Sequence, residues 1–172
     1  MTSERALAAA VLAACRARGI MLATAESCTG GLVAAALTAI PGASDVVDRG
    51  FVTYSYPSKT ALLGVPNAML TEFGAVSEPV ARAMAEGALA VSAAGVAVAV
   101  TGVAGPGASE AKPEGLVHFA CATSAGPTLH VRHEFGALGR DTVRSLSVRT
   151  ALSLLLTALG SAAQSDWSKS SS

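Results

Sequence analysis

The segment TAESCTGG sets Ser27 between an apolar run and the start of a helical pattern, a place suited to an acyl-transfer nucleophile. At a strand-to-helix turn, unpaired backbone N–H groups and the helix dipole can stabilise the oxyanion that forms when a hydroxyl attacks a carbonyl. The same residues also fit a plainer role, in which Ser27 or Thr29 caps the helix while Gly30 and Gly31 permit close packing. Spacing alone does not separate the two. A serine also needs a base. His118, His130 and His133 all fall in late strand-like segments, where alternation turns His130 and His133 to opposite faces, so they form neither a triad base nor a metal pair. Lysine can do the work if burial or neighbouring charge leaves it neutral. Lys59 follows directly on a strand-like stretch carrying Tyr54, whose hydroxyl can relay a proton or hold the amine in place. Taken singly, Lys59 also reads as a solvated helix residue and Tyr54 as a core aromatic with its hydroxyl at the rim. Cys28 is a second possible nucleophile, lowered in pKa by a helix N-terminus, but no histidine is placed to pair with it.

The elements that must position these groups follow from periodicity. Leu7, Val11 and Cys15 recur at helical spacing, so 4–18 reads as an amphipathic helix ended by Gly19. A buried strand over 20–25 leads through the Ser27 turn into a helix over 29–40, stopped by Pro41 and Gly42. Alternation over 50–56 reads as a strand ended by Pro57, followed by a short helix over 59–63. Ser77, Glu78 and Pro79 open a helix with Val80, Met84, Ala88 and Val91 on one face and Gly95 at its end. The β-branched run 96–100 enters TGVAGPGASEAKPEG, a loop of the kind that carries function. Two strands, 116–122 and 129–135, form a hairpin, and a helix over 141–159 with Val143, Leu146, Thr150 and Leu154 inward closes the domain. The expected fold is α/β: a single-domain three-layer α/β/α sandwich with a mixed sheet over 4–160, followed by a Ser-rich, disordered tail over 161–172.

Composition bounds the function. A chain of 172 residues, 51% hydrophobic and 14% charged, suits one domain with a sizeable core. Twelve basic against twelve acidic residues, with no basic run, argue against nucleic acid as a partner. Cys15, Cys28 and Cys121 are odd in number and widely spaced, which fits a reducing cytoplasm better than a disulfide framework or a thiolate metal site. The N-terminal segment carries Glu4 and helical spacing, unlike a signal peptide. Mean hydropathy is +0.50, and 87–109 is uncharged, yet Gly95, Gly102, Gly105 and Pro106 interrupt it, so no membrane span is expected.

The blocks TAESCTGG, GFVTYSYPSKTALLGV, GAVSEPVARAMAEGAL, VAVTGVAGPG with KPEG behind it, and GRDTVR stand in an order that resembles the CinA carboxy-terminal domain family, whose standalone members are nicotinamide-nucleotide amidases. The resemblance implies hydrolysis of the carboxamide of nicotinamide mononucleotide, giving nicotinic acid mononucleotide and ammonia. Ser27 would be the nucleophile, Lys59 the proton acceptor and donor, and Tyr54 the orienting or relaying hydroxyl. Thr29, Gly30 and Gly31 would belong to the pocket. Thr101, Gly102 and Gly105 would hold ribosyl phosphate or ring through backbone N–H groups. Arg140 and Arg144, one helical turn apart, would clamp a phosphate, although they also read as solvated helix arginines. No metal or organic cofactor is called for, and a homo-oligomer, a dimer, is implied. The chain departs from the family pattern at Tyr56, Pro57 and Ser58 and at Glu114, which puts pocket shape in question. A non-catalytic nucleotide-binding module, or a Ser-Lys amidase acting on another small amide, are the alternatives.

Overall fold

The first helix, α1 (Glu4–Arg18), starts where the Ser3 hydroxyl accepts the Ala6 N–H and ends where Gly19 turns left-handed at φ +62°. The computed structural model describes residues 2–169, with side chains through Gly160. β1 (Met21–Glu26) and α2 (Leu32–Thr38) follow, then β2 (Val47–Val52), α3 (Tyr56–Leu63), α4 (Asn67–Phe73), α5 (Glu78–Ala90), β3 (Ala94–Gly102), β4 (Leu116–Thr123), β5 (Gly126–Glu134) and α6 (Arg140–Lys169). The expected tail over 161–172 lies outside the residues whose side chains are described.

The sheet order is β2-β1-β3-β4-β5. β1 pairs in parallel with both β2 and β3, and the β3-β4 and β4-β5 pairs are antiparallel, so the sheet is mixed. Side-chain alternation splits it into two unlike faces. Leu22, Val96, Val98, Val100, Val117, Phe119 and Cys121 point into a core shared with α1, α2 and α6. Ala23, Ala25, Ala97, Ala99, Ala120 and Ala122 form the other face and admit α5 closely through Ala81, Met84, Ala85 and Ala88. Helices on both faces make the three layers that the sequence implied. The segment 87–109 is divided between the end of α5 and β3, so it is no continuous span. Part of α6, Arg140–Gly160, is long and apolar enough to cross a membrane by length and composition. Its Val143, Val148, Ala151, Leu152 and Leu155 are buried in the core, which accounts for that composition.

Local departures from the expected elements have physical causes. α2 begins at Leu32 because Gly30 (φ +58°) and Gly31 (φ +102°) are left-handed and break the helical path before it. β2 spans Val47–Val52, so Tyr54 lies beyond the strand. Tyr56 and Pro57 open α3, and a reciprocal Ser55–Ser58 capping box sets its start where a strand end had been expected. α5 stops at Ala90, leaving Val91 48% exposed and off the buried face. α4 (Asn67–Phe73) carries no distinct sequence signal.

Candidate active site

Two parallel strands deliver Ser27. β1 ends at Glu26, and the Ser27 N–H continues the sheet pairing by donating to the Val100 carbonyl of β3 at 2.9 Å. The strand order reverses around β1, and ligands in open α/β sheets bind in the crevice at the carboxyl ends of strands at such a point.

Glu26 fixes the turn that follows. Its carboxylate, fully buried, accepts the N–H groups of Gly31 and Val33 on Oε2 at 3.1 and 3.0 Å, and that of Ala34 on Oε1 at 2.9 Å. No Ser27 or Thr29 side chain caps the helix: its first N–H groups are taken by Glu26 (Gly31, Val33 and Ala34) and by the Thr29 carbonyl (Leu32, 3.1 Å), and these are not offered to an oxyanion. This corrects the capping role expected of Ser27 or Thr29. A carboxylate at the end of an otherwise apolar strand was the signal available for it. Glu26→Ala orphans three N–H groups and is expected to cost about 3 kcal/mol, lowering the melting temperature by roughly 6–12 °C in a scanning calorimeter. Glu26→Gln is expected to recover only part of the loss, because an amide nitrogen cannot accept.

Lys59 comes from the first turn of α3 and reaches inward. Its Nζ lies 3.0 Å from Ser27 Oγ and donates to the Thr53 carbonyl at 2.5 Å. Thr53 is held in turn by its N–H on the Glu26 carbonyl at 2.9 Å. Lys59 is fully buried, and that burial pulls its pKa down to about 8, against smaller upward pulls from Cys28 and Glu110. A fraction of the amine is therefore neutral near pH 7 and can take the Ser27 proton. Burial acts in the opposite direction on Cys28, raising its thiol to about 12, so it stays protonated beside the serine.

Ser27 and Lys59 form part of the wall of a cavity of about 410 Å³ that also takes in Tyr54, Tyr56, Thr101, Gly102, Gly105, Glu110 and Arg140. Arg140, at the first position of α6, donates to the Gly105 carbonyl at 2.8 Å and to the Tyr54 hydroxyl at 2.7 Å. Tyr54 therefore stands in the cavity wall bonded to Arg140, with no hydrogen bond to the Ser27–Lys59 pair. Arg140 has no carboxylate within ion-pairing distance among the described residues, which leaves its charge open to an anion. Arg144 points elsewhere. It donates to the Cys28 and Thr29 carbonyls, both at 3.2 Å, and so braces the Ser27 turn from outside the cavity. Thr29, Gly30 and Gly31 are likewise in the turn and absent from the cavity wall. Arg140 and Arg144 thus do not converge on one ligand.

The Thr101 hydroxyl donates to the Ala75 carbonyl at 2.8 Å, a bond that ties β3 to the entry of α5. Gly105 has φ +88°, a conformation that strains any residue with a side chain, and a Cβ there would displace the Glu114 carboxylate, which lies 2.4 Å from that position. That carboxylate accepts the Gly107 N–H at 2.7 Å, which accounts for a charged residue at the position. Ala104 and Gly105 line the cavity, and their N–H groups meet no acceptor among the described residues. The histidines stand apart: His118 Nδ1 and His130 Nε2 pair at 3.0 Å, with Glu78 at 3.5 Å from His130.

The structure is thus an α/β domain with a serine and a buried lysine in hydrogen-bond contact at the carboxyl edge of its parallel strands. Residues 4–159 match the CinA C-terminal domain family, and the chain belongs to that family. It is similar to a CinA-like protein of Anaeromyxobacter sp. (strain K), 49% identical over 150 residues, covering 87% of this chain and 36% of that protein. A CinA-like protein of Synechococcus sp. (strain RCC307) is 52% identical over 154 residues, 88% of this chain and 37% of that one. The chain thus spans little more than a third of these curated relatives. Among solved structures, the competence/damage inducible protein CihA from Agrobacterium tumefaciens superposes with a TM-score of 0.87 at 50% identity, covering 93% of this chain and 99% of that one. A competence-damaged protein (CinA) superfamily protein from Escherichia coli gives 0.86 at 38% identity, covering 90% and 89%.

Proposed function

We propose that this chain hydrolyses the carboxamide of nicotinamide mononucleotide to nicotinic acid mononucleotide and ammonia. The observation that carries the reading is the fully buried Lys59 amine 3.0 Å from Ser27 Oγ, on the wall of a cavity that also presents Arg140. Neutral Lys59 takes the hydroxyl proton as Ser27 Oγ bonds to the carboxamide carbon. The resulting oxyanion is met by the N–H groups of Ala104 and Gly105. Collapse breaks the C–N bond, and Lys59 returns its proton to the departing nitrogen, which leaves as ammonia. Water, deprotonated by the same amine, then cleaves the acyl-serine ester and frees the acid. Arg140 holds the phosphate, and Tyr54 orients Arg140 through its hydroxyl. The reading carries with it a cytoplasmic setting, in keeping with three free, buried cysteines, and a homodimer.

The test is ammonia release from nicotinamide mononucleotide, from the nucleoside lacking phosphate and from a panel of other small carboxamides, with Ser27→Ala beside the wild type. Release that requires Ser27 and falls at least about tenfold in kcat/KM without the phosphate is the expected result. Binding without release would leave a nucleotide-binding module, and equal or better turnover of other amides would leave a Ser-Lys amidase of different specificity.

A further inference from the structure

Glu110 is held in an unfavourable backbone conformation at the cavity wall. It has φ +53° and Ala111 has φ +59°, a left-handed region that residues with a side chain seldom enter unless their surroundings impose it. Glu110 and Ala111 are the two central residues of a tight turn in which Ser109 and Lys112 exchange backbone hydrogen bonds at 3.0 and 2.8 Å, a turn that takes positive φ at both positions. Two sets of side-chain bonds anchor it. The Tyr56 hydroxyl donates to Glu110 Oε1 and accepts the Ala75 N–H at 3.0 Å. Lys112 Nζ donates to the carbonyls of Phe73, at 2.7 Å, and of Val76, strapping the loop to the end of α4 and the approach to α5. The outcome is a carboxylate fixed in the same wall as Ser27 and Lys59. No cation lies within ion-pairing distance of it among the described residues. The cavity wall therefore carries a negative charge at Glu110, with Lys112 Nζ beyond it beside Gly74, and an unpaired positive charge at Arg140.

A substrate that matches both charges is an N-ribosylated pyridinium phosphate, whose ring is cationic and whose far end is anionic. Resting on the proposed function, we propose that Glu110 determines specificity for the positively charged ring, so that the enzyme selects pyridinium carboxamides over neutral ones. The physical need is local. A cationic ring presented to Ser27 also meets Lys59, and while that amine is protonated the two repel; a nearby carboxylate offsets the repulsion. Glu110 lies close enough to Lys59 to hold its proton slightly more tightly. Tyr56 acts as a positioning residue, fixing the carboxylate through its hydroxyl.

Calorimetric binding in a Ser27→Ala background tests this without turnover, using nicotinamide mononucleotide and its reduced 1,4-dihydropyridine form. The two share the carboxamide, ribose and phosphate and differ in ring charge. Glu110→Gln is expected to weaken the oxidised ligand about tenfold or more and to leave the reduced one within about twofold. Tyr56→Phe keeps the carboxylate but removes the bond that fixes it, and is expected to weaken the oxidised ligand a few-fold, less than Glu110→Gln, with the reduced one unchanged; an equal loss for both ligands would make Tyr56 merely structural. Equal effects of Glu110→Gln on both ligands, or none on either, would overturn the role of Glu110 while leaving the amidase reading in place. Failure of the Glu110-intact protein to bind the oxidised ligand at all would overturn both together, and the ammonia assay on the wild type identifies that case independently.

Discussion

Replacing Lys59 with Met is expected to lower kcat/KM for ammonia release about 10³-fold or more, with little loss of stability. The activity loss follows from removing the only base bonded to Ser27 among the described residues. Residues that act as one catalytic unit are strongly non-additive, so the Ser27→Ala/Lys59→Met double variant should be about as inactive as either single variant. Stability responds differently. A fully buried amine is a cost to folding, and Met fills a similar volume without one. Against this, the Thr53 carbonyl loses its donor, worth about 1 kcal/mol. Steady-state kinetics and thermal unfolding on the same preparation check both halves. A large fall in melting temperature would make Lys59 a structural residue, and retained turnover would remove it from the mechanism.

The second large effect is on pH dependence. Burial lowers Lys59 from the ordinary 10.5 to about 8 in the folded protein. Below pH 8 both folded and unfolded chains carry the proton, and the full penalty of a buried charge is present. Between about 8 and 10.5 the unfolded chain still binds the proton while the folded one has released it, so stability from this group rises with pH across that window and levels off above it. The gain is a few kcal/mol at about 1.4 kcal/mol per unit. Denaturant unfolding at pH 7.5, 8.5 and 9.5 should show the difference between wild type and Lys59→Met moving in favour of the wild type as pH rises. A constant difference would mean that Lys59 titrates normally. The activity profile follows the same proton. For the free enzyme, kcat/KM should rise through about pH 8 as Lys59 becomes neutral, and a bound cationic ring should shift the corresponding limb of kcat to lower pH by disfavouring the protonated amine.

The layered fold was legible in the sequence because each face repeats. Val96, Val98 and Val100 alternate with Ala97 and Ala99, and this period of two reports a strand buried on both sides whatever its neighbours are. Element boundaries differ from those the periodicity implies where local signals compete. Pro57 reads as a strand end or a helix start with equal ease, and the Ser55–Ser58 capping box decides for the helix. The glycine pair after Thr29 reads as close packing, whereas its positive φ values delay α2 and leave three N–H groups for Glu26.

Ser27, Lys59, Tyr54 and Arg140 were singled out from residue chemistry and from the order of the family blocks, and the fold sets all four in one cavity wall. Spacing could not reveal which of them touch. Residue 54 could equally have faced the amine, and Arg144 could have faced the cavity, since both choices preserve the same helical and strand periods. By itself the sequence determined the layers, the strand-turn-helix around Ser27 and the residue types gathered at the site, because these rest on periodicity and side-chain chemistry within a few residues. Tertiary structure alone decided that Arg140 holds Tyr54, that Arg144 braces the Ser27 turn, that Glu26 caps α2 and that Glu110 stands in the cavity wall. Each of those outcomes depends on a distance between parts of the chain that only packing brings together, and burial, which lowers the Lys59 pKa, is itself a property of the packed state.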